Sequence, residues 1–179
     1  MKLKGTQVIS NLKAGLQMEI GRHLYAVVGS YEQLSAFEKN DLSLARKENG
    51  TVMPIPVNLS RALLERIGDS DLRELVKQEG KLPKGVKRKL GLEFDSLLAN
   101  LLNQDHLVIL KNLELLFAFE LELETVRARA NNQNHILMML PGEKRGDHVV
   151  LFSEAEQRFH RQLPLQLIAD NHLWELDNA

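Results

Sequence analysis

His106–Leu107–Val108–Ile109–Leu110–Lys111–Asn112–Leu113–Glu114–Leu115–Leu116–Phe117 is the stretch from which the fold is read. Its apolar run stops at a lysine, and a charged amphipathic segment follows. A second run, Ile136–Leu137–Met138–Met139–Leu140, then ends at Pro141–Gly142. Short aliphatic runs of this kind fit strands buried on both faces, the condition of parallel strands joined by helices. Upstream, Leu24–Tyr25–Ala26–Val27–Val28–Gly29 repeats the cadence and ends in glycine. Alternating strands and helices predict an α/β domain with a mainly parallel sheet in three layers.

Working outward, Val8, Ile9, Leu12, Leu16 and Ile20 recur at helical spacing, which predicts an amphipathic helix before the first strand. A second helix is expected from Tyr31 to Glu48, ended by Gly50, and Thr51–Val57 with its two prolines reads as an edge strand or a strand with a break. Asn58 or Ser60 caps a short helix through Ile67, and Gly68 stops it. A further segment, Asp71–Gln78, precedes a basic connection from Gly80 to Gly91, and Leu92–Leu102 is helical. A helix is expected within Glu120–Asn131, a strand at Val149–Phe152, and a short helix near Glu154–Arg161. The chain therefore reads as one α/β domain over 1–179. It has a helical N-terminal extension (1–21), a core (22–152), and a C-terminal helix and tail (153–179).

Of the 179 residues, 44% are hydrophobic and 26% charged, enough to build a sizeable core, but aromatics are only 5%, so aliphatic side chains must fill it. A net charge of −1 excludes a uniformly basic coat, so any nucleic-acid contact must be a local patch. With no cysteine, disulfides and thiolate metal sites are excluded. No apolar signal core follows the basic Met1–Gly5, and no run approaches membrane-spanning length. A soluble, cytoplasmic protein is the expectation.

Gly29 stands where a phosphate-binding loop begins, after a buried strand and before a helix. Such a loop lets backbone N–H groups surround phosphates, and a Lys followed by Ser or Thr completes the grip. Counting on from Gly29, the loop pattern requires Gly, Lys and a hydroxyl residue; the chain has Leu34, Ser35 and Ala36. No Gly-Lys-Ser/Thr occurs elsewhere. Independently, a hydrolytic core puts a metal-holding acid at the end of the strand that here ends in Lys111. Glu114, a few residues on, suits a helix start. No catalytic residue, metal ligand or cofactor is expected.

At these residues the sequence resembles a known group. Leu107–Phe117, the strand ending at Pro141–Gly142, and Val57–Asn58–Leu59–Ser60–Arg61–Ala62–Leu63–Leu64 are similar to the BrxF family of small P-loop proteins from BREX bacteriophage-exclusion systems. Pro141–Gly142–Glu143 with Leu151–Phe152 also resembles the BrxB family, a second small BREX component. The matches span about residues 23–152. The resemblance implies a RecA-like, P-loop-NTPase-like core in a multi-gene antiphage system. Its role would be that of an adaptor among larger ATPase, methyltransferase and phosphatase-like subunits. The missing loop Gly and Lys, and Lys111 for the acid, mean that no catalytic residue carries over. Two alternatives stay open: a nucleotide-binding or hydrolysing subunit with an unorthodox site near Gly29 and Ser35, and a DNA-binding regulator. Self-association into a homo-oligomer is compatible with each.

Lys81, Lys84, Lys87, Arg88 and Lys89 form the densest charge cluster, without an intervening acid. Such a patch can bind phosphate backbones by releasing counterions, although a solvated surface loop is the favoured explanation. His23, His106 and His135 each precede an expected strand and read as residues of the sheet's amino edge. Glu143–His148 reads as a charged turn rather than a metal site. Glu120, Glu122 and Glu124 read as a solvated face, with Arg127 in pairing distance of Glu124.

Overall fold

The computed structural model describes residues 2–68, 73–75, 77, 83–121 and 123–177. In chain order the strands are β1 (Lys2–Leu3), β2 (Leu24–Gly29), β3 (Val57–Asn58), β4 (Leu107–Lys111), β5 (His135–Arg145), β6 (His148–Leu151), β7 (Arg161–Pro164) and β8 (Leu173–Leu176). The helices are α1 (Gly5–Leu16), α2 (Tyr31–Ala36), which runs on into a π-helix over Phe37–Leu42, α3 (Leu59–Ile67), α4 (Pro83–Gln104), α5 (Glu114–Ala118) and α6 (Glu124–Arg129). None among the described residues is long and apolar enough to cross a membrane.

Six strands lie side by side in the order β1-β8-β2-β5-β4-β3, every neighbouring pair parallel. The pleat explains the layers, because successive side chains leave a strand on opposite faces. Ala26, Val28, Val108, Leu110, Ile136, Met138 and Leu140 turn to one side, against Leu63 of α3, Phe94 and Leu98 of α4, Leu116 of α5 and Val126 of α6. Tyr25, Val27, Ile109, Leu137 and Met139 turn to the other, against Val8 and Leu12 of α1, Leu34 of α2 and Phe37. The result is the expected α/β sandwich with a mainly parallel central sheet.

Beyond Leu140, β5 leaves the parallel sheet and pairs antiparallel with β6, which pairs with β7. At the bend stands Gly142, where a side chain would run into the Val150 carbonyl oxygen. The charged turn expected at Glu143–His148 is thus mostly strand, with the reversal at Gly146–Asp147.

Three segments depart from the sequence reading. The basic connection expected over 80–91 is helix from Pro83 onward. Proline fits the first helical position, where its missing N–H costs nothing, and Val86 and Leu90 extend the stripe of Phe94, Leu98 and Leu102 into the core. The C-terminal helix and tail expected over 153–179 instead hold, among the described residues, three 3₁₀ turns, at Gln157–Phe159, Leu165–Leu167 and Asp170–His172, and the two strands β7 and β8. β8 enters the sheet beside β2, so the C-terminus belongs to the core. The edge strand expected over Thr51–Val57 is confined to Val57–Asn58; before it, Arg46 and Val52 make an isolated antiparallel bridge. Half of Asp71–Gln78, and Lys81, lie outside the described residues.

Candidate functional site

In open α/β sheets, ligands bind beyond the carboxyl ends of the strands, where the connections diverge. Here β2 connects onward through α2 on one face, while β4 and β5 follow helices on the other, so the divergence lies between Gly29 and Pro141. This edge unites most of the residues singled out in the sequence. Leu34, Ser35, Lys111, Asn112, Glu114 and Pro141 line one cleft of 180 Å³. Gly29 lines a neighbouring cleft of 270 Å³, and Ala36 one of 400 Å³.

The turn after Gly29 closes on itself. Ser30 caps α2: its Oγ accepts from the Gln33 N–H at 3.0 Å, and Gln33 Oε1 accepts from the Ser30 N–H at 2.8 Å. This reciprocal cap uses two N–H groups that a phosphate loop would aim at its ligand. A third, the Tyr31 N–H, donates to Glu154 Oε2 at 3.0 Å. A carboxylate of the chain thus occupies this N–H group. Leu34 is buried in the core below rather than framing a tight turn.

Glu154 arrives there through a strained turn. Phe152 has φ 59°, a left-handed conformation unfavourable for a bulky side chain. It is held by its N–H donating to the Pro141 carbonyl at 2.7 Å, and by its ring standing edge-on to Phe117 with centroids 5.6 Å apart. Asn112, after the last residue of β4, is also left-handed (φ 55°), and its carbonyl accepts from the Ser60 backbone and hydroxyl.

At the end of β4, the Lys111 ammonium donates to Glu38 Oε1 at 2.6 Å. Glu38 rides on the π-helix that continues α2. Glu114 opens α5 as expected and accepts from the Tyr31 hydroxyl at 3.5 Å. Partial burial, Glu114 and Glu154 together raise the Tyr31 phenol above its ordinary value. The edge is acidic throughout: Glu38 and Glu114 line the first cleft, Glu143, Glu154 and Glu175 the cleft at Gly29, and Glu32, Asp41 and Asp177 the cleft at Ala36. Against these stand Lys111, already paired, and Lys2. A triphosphate entering here meets like charge.

The basic cluster is elsewhere, on the first turns of α4. Lys84 and Arg88 are exposed, and Lys87 and Lys89 half-buried. The first turn of α4 carries no acid, so these cations sit against the positive end of the helix dipole. Further along, Glu93 pairs with Arg66 and Asp95 with Arg129. Arg127 pairs with Glu124 as the spacing predicts.

The histidines of the amino edge carry contacts that their sequence positions do not announce. His23 and His135 lie at that edge but are buried, and they stack on each other beside Tyr25. The roles of Glu38 and Glu154 have no local sequence signal, although Ser30-x-x-Gln33 is a legible capping box. Among the described residues no three of His, Cys, Asp and Glu converge in a group that would hold a metal. Compared with protein-family models, curated proteins and solved structures, the chain matches none.

Proposed function

We propose that this chain is a non-catalytic assembly component of a BREX-like antiphage defence system, built on a RecA-like core whose nucleotide site is filled from within. The observation that carries the reading is the pair of internal substitutes at the ligand edge. Glu154 takes the Tyr31 N–H at 3.0 Å, and Lys111 is bound to Glu38 at 2.6 Å. An anion site already holding an anion, and a metal position already holding a cation, leave nothing for phosphate chemistry to use. The arrangement β8-β2-β5-β4-β3 supports the RecA-like part: one strand separates the Gly29 strand from the Lys111 strand. The BREX assignment rests on the sequence resemblance alone.

An adaptor needs surface for partners. Ile20 and Ile55 are each 86% exposed and Leu44 76%, values that large aliphatic side chains adopt at a cost in water. They suit contact with other protein subunits. Lys84, Lys87 and Arg88 supply the DNA-contacting part of the reading, since cations held against a helix dipole cost stability and gain it back beside phosphates. The test is affinity purification of the tagged chain from cells carrying its native gene neighbourhood. Co-purification in fixed stoichiometry with methyltransferase or large ATPase subunits is expected. A chain that elutes alone, and whose deletion leaves phage restriction unchanged, contradicts the proposal.

A further inference from the structure

At the amino edge of the sheet, opposite the filled site, four rings pack into one cluster. His23 is 1% exposed, His135 5%, and Tyr25 is fully buried. The two imidazoles stack with centroids 4.3 Å apart, and the Tyr25 hydroxyl lies 3.4 Å from Nδ1 of each. The Tyr25 ring also lies 4.5 Å from the His172 ring and 5.5 Å from Trp174. One hydroxyl proton serves only one Nδ1, so the other ring must donate to the phenol oxygen. The cluster is therefore satisfied by two neutral imidazoles of opposite tautomer. His23 Nε2 and His172 Nδ1 are buried without a hydrogen-bond partner, so a proton added at either has no acceptor waiting.

These rings join β2 and β5 to the segment that enters β8. Tyr25 belongs to β2 and supports α1, whose Gly15 lies so near that a side-chain carbon there would fall 2.6 Å from the phenol oxygen. His172 precedes β8 and Trp174 lies within it, and β8 pairs with β2 on one side and with β1 on the other. We propose that the His23–Tyr25–His135–His172 cluster is an acid-sensitive latch: its neutral rings hold α1 and β8 on the sheet, and protonation lets these chain ends open. The inference stands apart from the reading of the carboxyl edge.

The charged groups around the latch work in the same direction. His23 stands just before β2, His172 in the turn before β8, His106 at the entrance to β4, and Lys47 in the segment before β3; all four disfavour a proton on His135. The nearby acid at that entrance, Asp105, is committed to Lys47 at 2.7 Å and to the Leu107 N–H at 2.9 Å. Lys13 of α1, Glu19 and Glu48 stand further out, lining a 570 Å³ cleft whose wall includes His135. Burial, with those neighbours, brings His135 down to about 4, and burial likewise lowers His23 and His172. Each proton is thus taken up more readily by the opened form, and acid favours opening.

Hydrogen exchange followed by mass spectrometry on the whole chain, corrected for intrinsic rates, tests this between neutral pH and pH ~4.5. Exchange within 5–16 and 173–176 should rise at least tenfold while 136–140 stays protected. The variant H23F, which keeps a ring but removes a titrating one, should cut that rise severalfold at the same pH. Unchanged protection of α1 and β8, a loss that reaches β5 at the same pH, or an H23F response equal to the parent chain's would overturn the proposal.

Discussion

Lys111 closes β4 with its ammonium 2.6 Å from the Glu38 carboxylate, tying the end of a central strand to the π-helix that follows α2. The side chains are 31% and 27% exposed, between surface and core, so a coupling of about 1 kcal/mol is expected. A double-mutant cycle with K111M and E38Q, read by urea unfolding, measures it. A coupling indistinguishable from zero would mean that the pair is incidental and the cleft open to a metal.

Gly15 on α1 faces the Tyr25 hydroxyl, and a side-chain carbon there would lie 2.6 Å from it. In an exposed helix, Gly→Ala gains about 1 kcal/mol. Here the sign should reverse, because Tyr25 is wedged among His135, His172 and Trp174 and has no room to retreat. G15A should melt below the parent chain by several degrees in a thermal unfolding scan; a rise would contradict the packing.

The pH dependence of stability follows from His135. Its folded value is about 4, set first by burial and then by the neighbouring histidines and Lys47, against 6.5 when freely exposed. Between those values the unfolded chain binds the proton and the folded chain does not. Stability is therefore complete above pH ~6.5 and is lost as pH falls toward ~4. At about 1.4 kcal/mol per unit, His135 alone accounts for on the order of 3 kcal/mol. Unfolding free energies across a pH series should fall over this window in the parent chain and fall less in H135Q. Equal slopes would contradict the assignment.

How much of this was legible in the sequence depends on distance along the chain. The three central strands are plain because Leu24–Val28, Leu107–Leu110 and Ile136–Leu140 are buried on both faces and so read as unbroken apolar runs. Half of α4 is misread because Pro83 and the glycines resemble a loop, although Val86 and Leu90 already carry the helical stripe. β8 is four residues long and needs β1 and β2 as neighbours, so local spacing cannot announce it. The same holds at the site. Absence of the phosphate loop is visible in Leu34, Ser35 and Ala36, but what fills the gap is not, since Glu154 and Tyr31 are 123 residues apart. His23 and His135 look like edge residues because each precedes a strand; only strand pairing reveals that they stack.

The cations of α4 separate DNA contact from simple solvation. Changing Lys84, Lys87 and Arg88 together to glutamine removes charges that oppose the helix dipole, so thermal stability should hold or rise slightly. Binding to a duplex oligonucleotide, followed by fluorescence anisotropy over a salt series, should weaken, with the salt slope reduced by about 2–3. Identical slopes for parent and variant would remove these residues from any nucleic-acid role.

The most direct measurement is a titration of the purified chain with ATP and ADP, with and without Mg²⁺, followed by thermal shift and calorimetry. A ligand that binds only the folded state must raise the melting temperature by mass action. With Glu154 on the Tyr31 N–H and Lys111 on Glu38, no shift and no heat of binding are expected at millimolar nucleotide. A saturable, Mg²⁺-dependent rise would show that the carboxyl edge opens to phosphate, and would make this chain a nucleotide-dependent subunit rather than an assembly component.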